Sequence, residues 1–382
     1  MSGPDPLAGG GTSTERRVVI WRSCLLPASE TFIRQQGAAL TTWRPSYLGA
    51  VRVDSALASA SDVIAFPDTP AGRRGWLELR LTGRSGRLRE LLAELDPALV
   101  HAHFGGDGRL VARSAQRLGI PLVVTLHGLD VTRQAAATGA RGRRHRHNLR
   151  DAFGRAALIL AVSGFIRDRA VALGADPDKV RVHHTGVPVP PEPAPAAKGW
   201  DVAFVGRFVP KKGVDDLVAA LSRSARRPRA VFIGDGPLFG EIRDRAARAG
   251  LDATFLGGQP PAVVARELAA ARILVAPSKT AADGDTEGLP TTLLEAGALG
   301  VPAVSTYHSG IPEAVLDGET GLLCPEADPA ALAAAIDRLL GDDELRTRLG
   351  RAARRRVAEH FDIRRQTRRL ELLYDEVAGR ET

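Results

Sequence analysis

The chain has 382 residues, 44% of them hydrophobic and 25% charged, which excludes a disordered polypeptide and leaves room for two domains of ordinary size. Basic residues number 52 against 44 acidic ones, a net charge of +8. The two cysteines, Cys24 and Cys324, lie too far apart for a disulfide framework or a zinc-finger spacing, and the cytosol is the expected compartment.

In chain order, residues 1–14 read as a Gly/Pro/Ser-rich tail without the apolar core of a signal peptide. No apolar run reaches the ~18 residues of a membrane span. Arg17–Trp21 predicts a strand and Glu30–Leu40 a helix, with Ser29 as its N-cap. A helical pattern at Leu88–Leu95 stops at Asp96-Pro97. Leu99–His103, Pro121–Leu126 and Ala157–Ser163 are further short apolar strands. Strands alternating with helices predict βα units and a parallel sheet over residues 15–187. Residues 188–200 are proline-rich and read as a linker. The pattern then restarts over residues 201–360. Strands are predicted at Asp201–Val205, Ala230–Ile233, Ala253–Leu256, Ile273–Ala276 and Pro302–Ser305. Helices fall at Val214–Arg223, Leu238–Ala249, Pro261–Ala270 and Thr291–Leu299. From Ala330 the text is helical, with 361–382 as the last segment. The predicted fold class is α/β, two doubly wound Rossmann-like domains facing a cleft, and ligand contacts should come from loops after strands.

Charge is unevenly spread. Residues 1–190 hold 26 basic and 16 acidic residues, and residues 191–382 hold 26 and 28. A one-sided positive field favours an anionic partner. Arg141, Arg143, Arg144, Arg146 and Arg150, with His145 and His147, form its densest stretch. That stretch could meet an anionic membrane or a lipid diphosphate, or be a solvated loop. Nucleic acid is not expected, because basic residues are not interleaved with stacking aromatics.

Several strand-end loops carry chemistry. Gly206–Gly213 places Arg207 and Lys212 five residues apart before a helix, a pairing suited to two phosphates. Gly234-Asp235-Gly236-Pro237 could be a tight turn or a close ligand approach. Thr286–Ala296 holds Glu287 and Glu295 around a Gly288-Leu289-Pro290 helix entry, where carboxylates and free N–H groups could receive hydroxyls. His127 and Asp130 follow the Pro121–Leu126 strand. His127 could donate a hydrogen bond or move a proton, and Asp130 could orient it or bind a hydroxyl. His101 and His103 share one face of their strand, as packed or ligand-facing imidazoles rather than a metal site. Ser29, Glu30 and Thr31 begin the first helix, whose N-terminus could face a diphosphate.

Together these strings resemble the family-4 retaining glycosyltransferases of the GT-B architecture. The resemblance rests on GRFVPKKG (206–213), GDGP (234–237), the Glu287–Glu295 string, SGIPEAV (309–315) and DGETGLLCP (317–325). VHAHF (100–104), HGLD (127–130), AVSGFIRD (161–168) and HHTGVP (183–188) extend it more loosely over the first half. It implies a nucleoside-diphosphate sugar donor, most often UDP-linked, held by the C-terminal domain without a metal. Arg207 and Lys212 should hold the diphosphate, Glu295 the ribose and Glu287 the donor sugar. Gly234 and the Gly288–Pro290 backbone should lie alongside, and His127 should reach the transferring sugar. The acceptor should lie in the first half, with Ser29, Glu30, Thr31, His103 and Asp130 as candidate contacts. The last helix should cross back to the first domain. LPASETFI replaces the Gly-Gly pair of many relatives and resembles the colanic-acid and exopolysaccharide subgroup. Natural-product glycosylation is the alternative acceptor class. A sugar-nucleotide hydrolase or epimerase, or a glycan binder, is the alternative function.

Overall fold

The computed structural model describes residues 16–27, 30–191 and 197–379. The expected tail 1–14, the expected cap and contact Ser29, and linker residues 192–196 lie outside the described residues.

Two parallel sheets organise the molecule. The first holds β1 (Arg16–Leu25), β2 (Trp43–Arg52), β3 (Val63–Ile64), β4 (Leu99–His103), β5 (Leu122–Leu126), β6 (Leu158–Ala161) and β7 (Val180–Val182), in the order β3-β2-β1-β4-β5-β6-β7. The second holds β8 (Trp200–Val205), β9 (Ala230–Ile233), β10 (Ala253–Gly257), β11 (Ala271–Ala276), β12 (Ala303–Thr306) and β13 (Gly321–Cys324), in the order β10-β9-β8-β11-β12-β13. Strand order reverses at β1/β4 and again at β8/β11, and crevices for ligands form at such points. Strands in these positions are covered on both faces, so they read as unbroken apolar runs. Val18, Val19, Ile20 and Trp21 of β1 are all 0–1% exposed.

Helices α1 (Thr31–Ala38), α2 (Pro70–Thr82), α3 (Gly86–Leu95), α4 (Gly105–Arg117), α5 (Arg133–Ala136), α6 (Gly139–Arg155) and α7 (Gly164–Ala172) belong to the first sheet. Helices α8 (Val214–Arg223), α9 (Phe239–Arg248), α10 (Pro261–Ala269), α11 (Thr291–Ala298), α12 (Ile311–Ala314), α13 (Pro329–Gly341), α14 (Asp343–His360) and α15 (Ile363–Val377) follow. Side-chain caps fix several starts: Thr69 receives Gly72 N–H, Ser85 receives Leu88 N–H, and Ser163 receives Ile166 N–H.

Some elements depart from their sequence signals. β2 carries Pro45 and an exposed Arg44, so its text is not a clean apolar run. α4 opens on Gly-Gly-Asp-Gly, a turn composition, yet its later face buries Leu110, Val111 and Ala115. The arginine-rich stretch 141–150 is helical rather than a solvated loop. It lies in α6, which packs along α4 and buries Gly142, Leu149, Ala152 and Phe153.

The last helix crosses back. α15 lays Leu370 and Tyr374 against Val18, Leu99, Val123 and Leu160 of the first sheet. The Tyr374 hydroxyl meets His101 Nδ1 at 2.5 Å. Beside it, the buried Glu371 carboxylate receives the N–H groups of Thr41 and Thr42 (2.6 Å each) and Trp43 (3.3 Å), plus the Thr41 hydroxyl. A Glu371→Ala variant leaves three N–H groups at the start of β2 without their acceptor. It should lose about 2 kcal/mol of stability. Urea unfolding should show this as a lower midpoint, and an unchanged midpoint would remove Glu371 from the docking of the helix.

Candidate active site

On the C-terminal side, the loop after β8 folds Pro210–Lys212 into a short 3-10 turn before α8. Lys212 leans back over Gly206 and places Nζ 2.8 Å from Glu287 Oε1. Lys211 turns to Asp285 Oδ1 and the Thr286 carbonyl, both 3.0 Å away. Arg207 is exposed, and its side chain makes no ion pair or hydrogen bond among the described residues. Gly234 has φ of +133°, and a Cβ there would sit 1.9 Å from the Gly206 carbonyl. Only glycine lets those two loops touch.

Glu287 is 6% exposed and held from several directions. Burial raises a carboxylate, yet the Lys212 and Lys211 ammonium groups hold Glu287 below its ordinary range. Its backbone N–H donates to His308 Nε2 at 3.1 Å, which puts the His308 proton on Nδ1, facing Glu326 Oε1 at 2.7 Å. Ser309 Oγ donates to the Glu287 carbonyl at 2.5 Å. Leu289 and Pro290 are buried at the entry to α11, with Pro290 in the capping position. Glu295, one turn in, is raised above its ordinary range by burial, although Thr291 bonds to it and Lys212 is near.

On the N-terminal side, His127 Nε2 lies 3.0 Å from His103 Nδ1, and its ring packs on Phe32 and Phe104. Burial, with the Arg22 cation and His101 adding, lowers His127 to about 3. It is therefore neutral near pH 7: a hydrogen-bonding group, not a proton shuttle. His103 is 1% exposed and stacks on His101 behind it. His103 thus sits packed behind His127 and hydrogen-bonds it, the first of the two placements its strand position allows. His101 uses both nitrogens, on Tyr374 and on Thr125 Oγ1 at 2.6 Å.

Two other expected contacts have internal partners. Asp130 accepts from Gly105 N–H at 2.8 Å through one oxygen, and from Gly128 and Val131 N–H at 3.1 and 3.2 Å through the other. It fastens the His127 loop to the start of α4. Glu30 is clasped by Arg22, Nε to Oε2 at 2.8 Å and Nη2 to Oε1 at 2.5 Å. Arg22 also pairs with Asp107, which accepts Ser23 N–H at 2.7 Å. Thr31 opens α1, half-buried. Arg22 and Asp107 escaped the sequence reading. The signal for Arg22 was an arginine inside an otherwise apolar strand.

The two sides touch at Gly288. A Cβ there would meet the His127 carbonyl at 2.2 Å. Ser163 Oγ donates to the Gly288 carbonyl at 3.1 Å. Glu313 accepts Gly164 N–H at 2.8 Å, and its other oxygen lies 2.8 Å from His184 Nε2. The strings HHTGVP and SGIPEAV therefore meet as an interdomain clasp. Arg133 and Asp283 add an exposed bridge at 2.7 Å.

These features define a class: two facing Rossmann-like domains whose switch-point loops hold a cation–carboxylate pair opposite a neutral histidine. Residues 34–189 match the model of Glycosyltransferase Family 4, and residues 190–356 that of Glycosyl transferases group 1. A protein named for colanic acid biosynthesis in Salmonella typhimurium is 31% identical over 70% of this chain and 68% of its own. The amylovoran biosynthesis glycosyltransferase of Erwinia amylovora is 30% identical over 68% of this chain and 65% of its own. The matching segment thus spans about two thirds of these relatives. The crystal structure of Anabaena HepE with UDP superposes with a TM-score of 0.76 at 18% identity, covering 94% of this chain and 100% of that one. The chain belongs to the family-4 glycosyltransferases of GT-B fold and is related to exopolysaccharide biosynthesis enzymes.

The buried imidazoles set a pH response. His101 is lowered to about 3 and His183 to about 4, burial being the main cause in each. Their unfolded values are near 6.5, so on acidification the unfolded chain takes up protons that the fold refuses. Stability is fullest above about pH 6.5 and falls toward pH 4, by up to about 1.4 kcal/mol per pH unit for each such imidazole. The thermal midpoint should drop between pH 7 and pH 5, and His101→Gln should flatten the slope. A flat profile in the unaltered protein would contradict neutral buried imidazoles.

Proposed function

We propose that the chain is a retaining hexosyltransferase. It takes a sugar from a nucleoside diphosphate, UDP first, and attaches it to a hydroxyl of a polysaccharide or lipid-linked glycan precursor. Its place is the cytoplasm, at the inner face of the membrane. The observation that carries this reading is the Lys212–Glu287 pair at a switch-point loop whose Glu287–Gly288 backbone lies against that of His127–Gly128.

In this scheme Arg207 and Lys212 bind the donor diphosphate. Lys212 exchanges Glu287 for phosphate oxygens, which frees an ionised carboxylate to receive sugar hydroxyls. Glu295, beside the free N–H groups of α11, receives the ribose hydroxyls. The backbones of Gly234 and Gly288–Pro290 line the donor. His127, neutral, hydrogen-bonds the transferring sugar. The C1–O bond to diphosphate stretches first, and Arg207 and Lys212 stabilise the charge growing on phosphate, the task a divalent metal performs elsewhere. The acceptor hydroxyl attacks C1 from the face the diphosphate leaves, and its proton passes to the departing phosphate oxygen. The clasp at Glu313 and the Gly288 contact exclude water while this occurs. The UDP held by the structural neighbour supports the choice of base. The outward arginines of α6, Arg141, Arg143 and Arg150, support contact with an anionic membrane.

UDP at 100 times its Kd should add about 2.7 kcal/mol, on the order of 5–10 °C in midpoint, without added metal. GDP and ADP should do less. No shift with any nucleotide would end the donor assignment. Lys212→Ala and Arg207→Ala should each lower kcat about 100-fold. A change confined to KM would remove them from leaving-group stabilisation. Vesicles rich in anionic lipid should sediment the protein, and an Arg141→Ala/Arg143→Ala/Arg150→Ala variant should stay in solution.

A further inference from the structure

A groove of about 1300 Å³ opens beside the proposed site. Its lining includes Gly106, Asp107 and Leu129 of the first domain and Ala282–Gly284 of the second. Leu129 follows His127 by two residues, and Gly284 precedes Glu287 by three. An occupant of the groove therefore borders both halves of the site.

The groove has two kinds of lining. Arg80, Arg109, Arg141 and Arg144 supply the cationic part. None of the four has an acidic ion-pair partner among the described residues. Arg109 and Arg144 instead converge on a single neutral acceptor, the Arg80 carbonyl, at 3.0 and 3.4 Å. The two acids in the lining are already engaged: Asp107 by Arg22 and Ser23, and Asp283 by Arg133. Burial lowers Arg109 from its ordinary value, and the neighbouring charges of Arg144 and Arg113 add to this against Asp151. The cluster is thus short of negative charge, and guanidinium forks match phosphate oxygens in pairs. Trp76, Leu77 and Leu81, on the same helix α2 as Arg80, add an apolar strip beside these cations, with Leu77 and Leu81 54% and 56% exposed. These are two of only five large apolar side chains exposed among the described residues. Open apolar side chains beside unpaired cations suit a ligand with a charged end and an apolar continuation.

We propose that this groove is an acceptor subsite in which Arg80, Arg109 and Arg144 bind a phosphate or diphosphate group carried by the acceptor. The apolar strip of α2 receives whatever apolar chain that group bears. The subsite rests on the glycosyltransfer reading and adds to it the chemistry of the acceptor.

The test is calorimetric titration of the full chain with its donor site filled by saturating UDP. Farnesyl diphosphate and inorganic pyrophosphate are titrated separately. Saturable binding of either supports the subsite. A preference of about tenfold or more for farnesyl diphosphate assigns a lipid-linked source and engages the α2 strip. Equal affinities assign a soluble phosphorylated acceptor. Arg109→Ala/Arg144→Ala should weaken binding about tenfold or more while its UDP-induced thermal shift stays unchanged. Arg144→Glu, at an exposed position, gives the same reading if the double variant folds poorly. Arg167→Ala, an exposed arginine of α7 outside the lining, should leave binding unchanged. Absence of binding by both ligands, or equal binding by the arginine variants, overturns the proposal. If UDP itself fails to bind, the donor assignment falls. The same titrations without UDP, compared between the unaltered chain and Arg109→Ala/Arg144→Ala, still decide the groove.

Discussion

The contact between Gly288 and the His127 carbonyl leaves no room for a side chain, and the arrangement of the site depends on it. It brings the loop after β5 against the entry to α11 at backbone distance. Such an approach needs both loops to be held from behind. Asp130 ties the His127 loop to α4 through three backbone N–H groups. His308 and Ser309 grip the Glu287–Gly288 backbone from the other side, and Ser163 reaches across from the first domain to the Gly288 carbonyl. Each gripping group is buried or half-buried and satisfied, so the closed arrangement leaves few polar groups without partners.

Closure also divides the electrostatic labour. The C-terminal side keeps its charges in exchangeable pairs: Lys211 with Asp285, Lys212 with Glu287, and Lys279 with Asp215 and Asp216. On the proposed chemistry an arriving phosphate replaces Glu287 at Lys212, and the carboxylate it frees must then be satisfied by the donor's sugar hydroxyls. The N-terminal side presents imidazoles kept neutral by burial. On the proposed chemistry, a neutral ring adds hydrogen bonding to the sugar without adding a cation that would draw the diphosphate from Lys212. The Arg22–Glu30–Asp107 cluster sits beneath this ring. Two carboxylates around one guanidinium satisfy its fork and fix the starts of α1 and α4.

The fold was largely legible because parallel strands, buried on both faces, write themselves as apolar runs. Leu99–His103 is a strand with the bounds its sequence suggests, and Val214–Arg223 a helix likewise. α6 was not legible because an arginine-rich helix with four buried residues has hardly any apolar period. Its arginines are stabilised by carbonyls of neighbouring turns, as Arg146 is by Ala135 and Ala137. At the site, Glu287 and Lys212 announced themselves through loop composition, but their pairing across 75 residues did not. Glu30 and Asp130 looked like ligand contacts because an acid beside a helix start or a strand end has two uses. Only three-dimensional neighbours reveal that backbone N–H groups and Arg22 already occupy them. For His103 the sequence left two placements open for a related reason: strand alternation gives its face but not its depth.

The uneven charge of the two halves has a structural origin. In the first half many arginines donate to carbonyls instead of carboxylates: Arg109 and Arg144 to Arg80, Arg150 to Leu173, and Arg181 to Asp178. A carbonyl satisfies the fork but leaves the charge uncompensated, so the excess of basic residues survives folding as a field. The groove gathers part of that field next to His127. Closure sets this half against the second domain at Gly288 and Glu313. On the proposed chemistry, negative charge moves onto the leaving diphosphate as the C1–O bond stretches. It moves toward cations on its own side and toward the uncompensated arginines of the facing domain. Both attractions strengthen as the local dielectric falls. The same closure that shields the reacting centre therefore increases the stabilisation of the charge it develops, which ties the Gly288 contact to rate as well as to shape.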